Sequence, residues 1–541
     1  MSSPPSAEQP PTDSPGKSDR RRILGAAGIV SGITLLSRVL GVVRDGFLTR
    51  ALGHGWLHDT FLLAFEAPNL LRRVLGEGSL SAYIVPIFTD FRTKQGEARG
   101  WRFANNALLT MTVYTGILTI LGWFAAEWIF VAFGGAEALI HDKPEVLSLG
   151  THLVRIMIPF MMLLAIAAMM MGLLHTLGHF VTPALGSIVL NVVLIGVCWV
   201  GMGWDPHRIT TALAWGVVAA GGLRIALMIP SLVKRGWRWR PVFQPRSDGM
   251  MRLYAMMVPA TAGMAIAHVN IIVDKFLARW IEDGCVVYLN YANHLVQFPL
   301  AIFAGALATA ILPTLARRMS EHDRAGLQRT MNSSLRLMLL IFLPATAGLI
   351  ALRLPIVSVI FEGRAFDATG SRQMAWALMF YAVGLVAFAG VRILLPLYYA
   401  RQDLRTPLWT GAIAMIINIA LNLALMRTPL RHGGLALATS IAALVNLALL
   451  IAWLGIDVRS IFDRALVRLS AETLILSLLM GAVCWLGWRG LQPTFLEGPW
   501  ALRALITLGL IGLGTAVFAA GVKLLRIHEM EELMRVLRRR R

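Results

Sequence analysis

Enzymatic signatures are the first thing this sequence lacks. No phosphate-cradling GxxxxGK[ST] loop, no GxSxG elbow and no HExxH pair occurs in its 541 residues. Charge is scarce too, at 15% of residues, and acidic residues are scarcest, 30 against 50 Lys and Arg. Cysteine is nearly absent: Cys198, Cys285 and Cys484 lie scattered in or at the ends of apolar segments, without metal-ligand spacing, and read as inert thiols. Polar stretches between apolar runs reach only roughly 20 residues, too short for a domain, which excludes an ATP-driven pump carrying its own nucleotide-binding unit. The first 19 residues are rich in Pro and Ser, lack the apolar core of a signal peptide, and read as a disordered tail.

Apolar residues are what the chain has. At 57% hydrophobic and a mean hydropathy of +0.66 it is too apolar for a soluble protein of this length. It reads as an all-α polytopic membrane protein. Stretches of about 20 apolar residues place fourteen spans between residues 24 and 525, among them 24–50, 59–88, 103–133, 251–280 and 285–316.

The net charge of +20 is a matter of topology. Lys and Arg collect in alternate loops, such as "RTKQGEARGWR" at 92–102, "KRGWRWR" at 234–240 and the terminal "RVLRRRR". Roughly 29 lie on that side and about 8 on the other, the positive-inside asymmetry. Both termini are therefore expected in the cytoplasm, and no nucleic-acid partner is expected.

An internal repeat organises the spans. "VVRDGFLTR" at 42–50 matches "IIVDKFLAR" at 271–279, placing Asp45 over Asp274 and Arg50 over Arg279. "EGSLSAYIVP" at 77–86 matches "AGALATAILP" at 304–313 at a nearly equal offset, 227 against 229 residues. The copies begin at the first and seventh spans, so an even number of helices separates them and the repeat is parallel. The expected organisation is a tail at 1–21, a six-helix lobe at 22–240, a second at 241–456, two further helices within 457–525 and a basic tail at 526–541. Two lobes facing one another suit a transporter that exposes a central cavity alternately to either side.

Charges inside the first two spans identify what that cavity holds. Counting 1.5 Å per residue, Arg38 and Arg72 both sit roughly 24 Å above the basic-loop surface, with Arg44 about 9 Å further out. A charge in mid-membrane costs at least about 2.5–3.5 kcal/mol, so these three arginines need a function. On a helical wheel Arg38 and Asp45 share a stripe while Arg44 points about 120° away, and Gly41 is the expected site of a bend that turns both arginines inward. Arg73 is expected to pair with Glu77, one turn on, and Arg50 to snorkel to the headgroups. A guanidinium cluster in a low-dielectric cavity suits a phosphate-bearing polyanion.

Four stretches, "SRVLGVVRDGFLTRALG", "APNLLRRVLGEGSLSAYIVPIF", "NYANHLVQFP" and "YYARQDLRTP", resemble the MurJ (MviN) lipid II flippases of the multidrug/oligosaccharidyl-lipid/polysaccharide exporter superfamily, and the resemblance extends from residue 22 onward. It implies a transporter and no enzyme, moving undecaprenyl-diphosphate-linked peptidoglycan precursor (lipid II) from the cytoplasmic to the periplasmic leaflet of a bacterial inner membrane. It implies substrate binding by Arg38, Arg44 and Arg72, with Asp45, Asp59 and Glu77 orienting them, and a groove for the lipid tail on the last two helices. It also implies a possible Na+ site at Asp274, Asn418, Asn422 and Thr439, a driving force from Na+ or membrane potential, and a monomer among membrane lipids. Where the family usually has Arg in "YA[ND]R" this chain has His294, which, protonated, would take part in substrate binding; Lys275 is the alternative source of the missing charge. Rival readings are a flippase for another lipid-linked oligosaccharide, of O-antigen type, and a membrane-embedded transferase. For the topology, a cysteine introduced at Ser247 is expected to stay unlabelled by a membrane-impermeant thiol reagent in intact cells; labelling would invert the assignment.

Overall fold

The structure is a computed structural model describing residues 17–71, 79–454 and 463–527, with side chains for all of these except 17–27, 71, 79–82 and 258–271. In chain order the helices are α1 (Lys17–Leu52), α2 (Trp56–Leu71), α3 (Ser79–Gln95), α4 (Glu97–Phe124), α5 (Ala126–Phe130), α6 (Ala136–Ile140) and α7 (Pro144–Met157). Next come α8 (Pro159–Thr176), α9 (Val181–Val200), α10 (Pro206–Val233), α11 (Asp248–Arg279), α12 (Cys285–Pro299), α13 (Gly305–Ser320) and α14 (Arg324–Ala351). The last are α15 (Arg353–Phe361), α16 (Ala368–Val383), α17 (Leu385–Ala400), α18 (Arg405–Leu425), α19 (His432–Ala452), α20 (Arg464–Glu497) and α21 (Trp500–Leu524).

Ten helices or continuous helix pairs among the described residues are long and apolar enough to cross a bilayer, and the pair α16–α17, bent by 44°, makes eleven. The remaining expected spans fall on α1, on α2 with α3, and on α11. These carry the ionisable residues Arg38, Arg44, Asp45, Glu66, Asp274 and Lys275. The span expected at 103–133 ends earlier: α4 stops at Phe124, and α5, a wide turn broken at Gly134 (φ 124°) and α6 form a lip at its end. Large apolar side chains on the outer faces, such as Phe124, Trp199, Leu505 and Leu508, are exposed. In a bilayer those faces meet lipid tails, so helix association rests on close packing and polar contacts instead.

One such contact fixes α1. Gly46 packs so closely on α15 that a Cβ would stand 2.4 Å from the Ile360 carbonyl oxygen. Four residues on, Arg50 donates Nη2 to the Val359 carbonyl (2.9 Å) and Nε to that of Glu362 (3.2 Å). These carbonyls end a helix and have no intrahelical partner. Arg50 therefore does not snorkel as expected; capping α15 satisfies its charge inside the protein. From the far end of the chain, Trp500 Nε1 shares the Val359 carbonyl (2.9 Å) and Arg503 Nη1 binds the Glu362 carboxylate (2.8 Å). The C-terminal pair α20–α21 also buries an apolar seam against α14, with Leu340, Met480, Cys484 and Phe495 at its centre.

A Gly46→Leu variant is expected to lower the melting temperature of the purified protein by at least about 2 °C, because α1 and α15 must part to admit the side chain. Gly41→Leu, where a Cβ meets nothing within 4 Å, should melt with the wild type. Equal melting of all three proteins would mean that α1 does not depend on this contact.

Candidate functional site

Between the helices of the N-terminal half and α11 and α12 lies a cavity of about 730 Å³. It runs from Leu48 and Phe61, one to two turns from the α1–α2 connection, toward the end carrying the basic loops, where His175 and Phe180 line it. Arg38, Arg44, Asp45 and His294, proposed from sequence, all reach this one space. Arg72, Arg73 and Glu77 lie outside the described residues.

Arg44 is held on three sides. Nε and Nη2 donate to Asp45 Oδ1 (3.0 and 2.6 Å) and Nη1 to Asn191 Oδ1 on α9 (3.0 Å). Asn191 in turn donates to the Ser37 carbonyl (3.0 Å), tying α9 to α1. The helix α1 is unbroken through Gly41. Arg44 reaches the cavity wall because its long side chain swings sideways onto Asp45 and Asn191. The second Asp45 oxygen meets His294 Nδ1 at 2.8 Å, so the imidazole sits against a carboxylate. That buried carboxylate thus joins a helix of the first half to one of the second. Arg38 makes no hydrogen bond or ion pair among the described residues, and its side chain is exposed to the cavity.

Three charged residues of the wall were not singled out from sequence as binding groups: Glu66, Arg224 and, except as an alternative, Lys275. Lys275 Nζ lies 2.5 Å from Glu66 Oε2. The signal that picked out Arg38, an ionisable group deep inside an apolar span, applies equally to Glu66 in 59–88 and to Arg224 within α10.

Asp59 lies elsewhere, away from the cavity arginines it was expected to orient. It is fully buried at the opposite end, accepting from the backbone N–H groups of Gly284 (2.6 Å) and Val287 (3.0 Å) and from Arg279 Nη1 (3.3 Å). It thus caps the N-terminus of α12, where orphan donors and the helix dipole favour an anion. Gly284 has φ 90°, and a Cβ there would stand 2.2 Å from the His54 carbonyl oxygen, so the cap admits only glycine. Arg279 also binds Glu137 (3.2 Å) and Asp283 (2.5 Å). Beside this cluster His54 bridges Tyr288 (2.8 Å) and Asp367 (3.1 Å). The two halves are thereby locked together at that end, and the cavity is offset toward the other.

The residues considered for Na+ form a separate cluster between α11, α18 and α19. Asn422 Nδ2 donates to Asp274 Oδ1 (2.6 Å) and Asn418 Oδ1 (2.9 Å), and Asn418 Nδ2 to Thr439 Oγ1 (3.3 Å). Among the described residues no group of three or more His, Cys, Asp or Glu could hold a metal. One carboxylate, two amides and a hydroxyl offer oxygen donors, a set that suits a hard cation and no soft one.

The family described as "Lipid II flippase MurJ" matches residues 48–505 of the chain. A Vibrio cholerae serotype O1 protein named "Probable lipid II flippase MurJ" is 32% identical over 515 residues, covering 94% of this chain and 97% of its own. A Burkholderia cenocepacia "Lipid II flippase MurJ" is 31% identical over 463 residues, covering 83% and 88%. Among solved structures, "Lipid II flippase MurJ, inward closed conformation" superposes with a TM-score of 0.72 at 22% identity, over 91% of this chain and 99% of that one. An inward-facing multidrug resistance MATE transporter of the MOP superfamily gives 0.64 at 14% identity, over 82% and 98%. Fold and family therefore agree: the chain is a polytopic membrane transporter, with no enzymatic role, and belongs to the MurJ lipid II flippase family.

Proposed function

We propose that this chain moves lipid II from the cytoplasmic to the periplasmic leaflet of a bacterial inner membrane, with both its termini in the cytoplasm and a monomer as the working unit. The observation that carries the reading is the cationic cavity offset toward the basic-loop end in a member of this family. A diphosphate esterified to a sugar at one end and a polyprenyl chain at the other needs fixed cations in a dry site, and Arg38, Arg44 and Arg72 supply them. His294 adds a charge from the second half when protonated.

The two halves, 22–240 and 241–456, then act as lobes that rock about the loaded headgroup, while helices within 457–525 accommodate the tail. Release on the far side requires the Asp59–Arg279–Glu137 cluster to part. That cluster crosses between the halves, and its separation strands buried charge unless water enters with it. Differential affinity for the substrate in the two arrangements is the energy available for this step.

Asp274, Asn418, Asn422 and Thr439 are the residues that would hold Na+ if the ion takes part. Each amide now satisfies its neighbours. Turning the Asn422 amide over would bring its oxygen to Asp274 Oδ1, an oxygen–oxygen approach that a bound cation, or a proton on the carboxylate, makes favourable. Ion occupancy and the packing of α11 against α18 would then depend on each other.

In a bacterium depleted of its own lipid II flippase, the wild-type chain is expected to restore growth. Arg38→Ala, Arg44→Ala and Arg72→Ala, at normal protein levels, should each fail, whereas Arg50→Ala, which only loses its cap on α15, should grow. Failure of the wild type in the same strain would overturn the proposed function. Growth with any of the first three would remove that residue from the binding site. His294→Arg should keep lipid II affinity, because a fixed cation then stands at the same place in the cavity, whereas His294→Ala should weaken it. Unchanged affinity in His294→Ala would remove the imidazole from the binding site.

A further inference from the structure

The wall of the cavity carries four permanent cations among the described residues, Arg38, Arg44, Arg224 and Lys275, and two carboxylates, Asp45 and Glu66. Each carboxylate is already engaged. Asp45 holds Arg44 and His294, and Glu66 holds Lys275 through a 2.5 Å contact in which both side chains are largely buried, at 4% and 15% exposure. The second pair joins α2 to α11, residues 209 apart in sequence and on opposite halves of the molecule. It lies inside the cavity, unlike the Asp59–Arg279 cluster, so a ligand that fills the space meets it directly.

A buried ion pair of this kind contributes little net stability, since desolvation offsets most of the attraction. Placed at the outer end it would serve as a lock. Placed on the wall of an anion site, it keeps a cation desolvated, positioned and neutralised until a stronger anion arrives. An ammonium is a compact charge with three rotatable donors on a flexible stem, so it can turn from one acceptor to another where a guanidinium fork locked in two bonds cannot. A diphosphate in the cavity presents about two negative charges against one on Glu66, and the Coulomb term favours transfer of Lys275 to the phosphate.

We propose, on the reading of the cavity as a diphosphate site, that Lys275 is a further headgroup-binding cation held in reserve by Glu66, and that its hand-over to the substrate's phosphate releases α2 from α11 on loading. The Glu66–Lys275 contact that ties α2 to α11 is then gone, so arrival of the anion favours an arrangement in which the two helices part. Glu66 is a positioning residue in this scheme; Lys275 touches the substrate.

The two residues should therefore have opposite effects on affinity. Purified full-length protein would be titrated with lipid II and, separately, with inorganic pyrophosphate as a bare probe of the anion site. Lys275→Gln is expected to weaken both by about tenfold or more, the effect of losing one charge-assisted contact. Glu66→Gln should tighten both, and Lys275→Arg, whose fork stays on Glu66, should bind both more weakly than the wild type. An ion pair serving structure alone predicts that the two glutamine variants weaken binding together or leave it unchanged; either result overturns the proposal. Should Glu66→Gln fail to fold, the exchanged pair Glu66→Lys with Lys275→Glu retains both charges, and loss of pyrophosphate binding there would overturn it as well. Opposite effects with pyrophosphate, in a protein that does not bind lipid II, would uphold Lys275 as an anion ligand and remove lipid II as the substrate.

Discussion

A cation inside a membrane must find an acceptor, and most of this architecture follows from how that demand is met. Hydrocarbon offers none, and an isolated charge at mid-membrane is among the most costly groups a helix can carry. Arg279 is gathered among three carboxylates, Asp59, Glu137 and Asp283. Arg44 is answered by Asp45 and Asn191 but keeps one side to the cavity. Arg38 has no described partner and faces the space directly. The gradient from satisfied to unsatisfied runs from the outer end toward the basic-loop end. It divides the molecule into a part that holds itself together and a part built to take something up.

Positions matched by the internal repeat illustrate how one pattern serves different ends. Asp45 and Asp274 occupy equivalent places, yet one braces an arginine and a histidine while the other receives the amide of Asn422. Arg50 and Arg279 are equivalent too; one caps a helix through backbone carbonyls and the other gathers three carboxylates. Depth in the bilayer follows from the repeat, since helix rise is fixed at about 1.5 Å per residue. Partners do not, because they come from whichever helix the other half presents at that depth.

The same distinction sets what the sequence could reveal. Apolar runs of bilayer length, the loop charge asymmetry and the Asp-x-Phe-Leu-x-Arg repeat were enough for an all-helical transporter, and depth counting placed Arg38 and Arg44 at the level of a common cavity. Lateral contacts were not accessible to that arithmetic. Nothing in the spacing of Asp59 indicates that it caps α12 across 225 residues, and nothing about Arg50 reveals the bare carbonyls of α15. A wheel of rigid spokes also misjudged Arg44, whose reach of several rotatable bonds exceeds the angular difference between helix faces. Glu66 and Arg224 satisfy the same rule as Arg38, but no charged residue stands within a turn of either in the sequence to mark a cluster.

The end of α15 gathers donors from three separate parts of the chain. Arg50 of α1 and Trp500 of α21 share the Val359 carbonyl, while Glu362 takes Arg50 through its backbone and Arg503 and Ser371 through its carboxylate. The cavity-bearing helix and the lipid-facing pair thus hang from one short knot of backbone. A bilayer that thickens or thins acts on the exposed apolar faces of α20 and α21 as on those of the other helices. Through that knot a displacement of α20 or α21 is passed to α1, twelve residues below which stands Arg38.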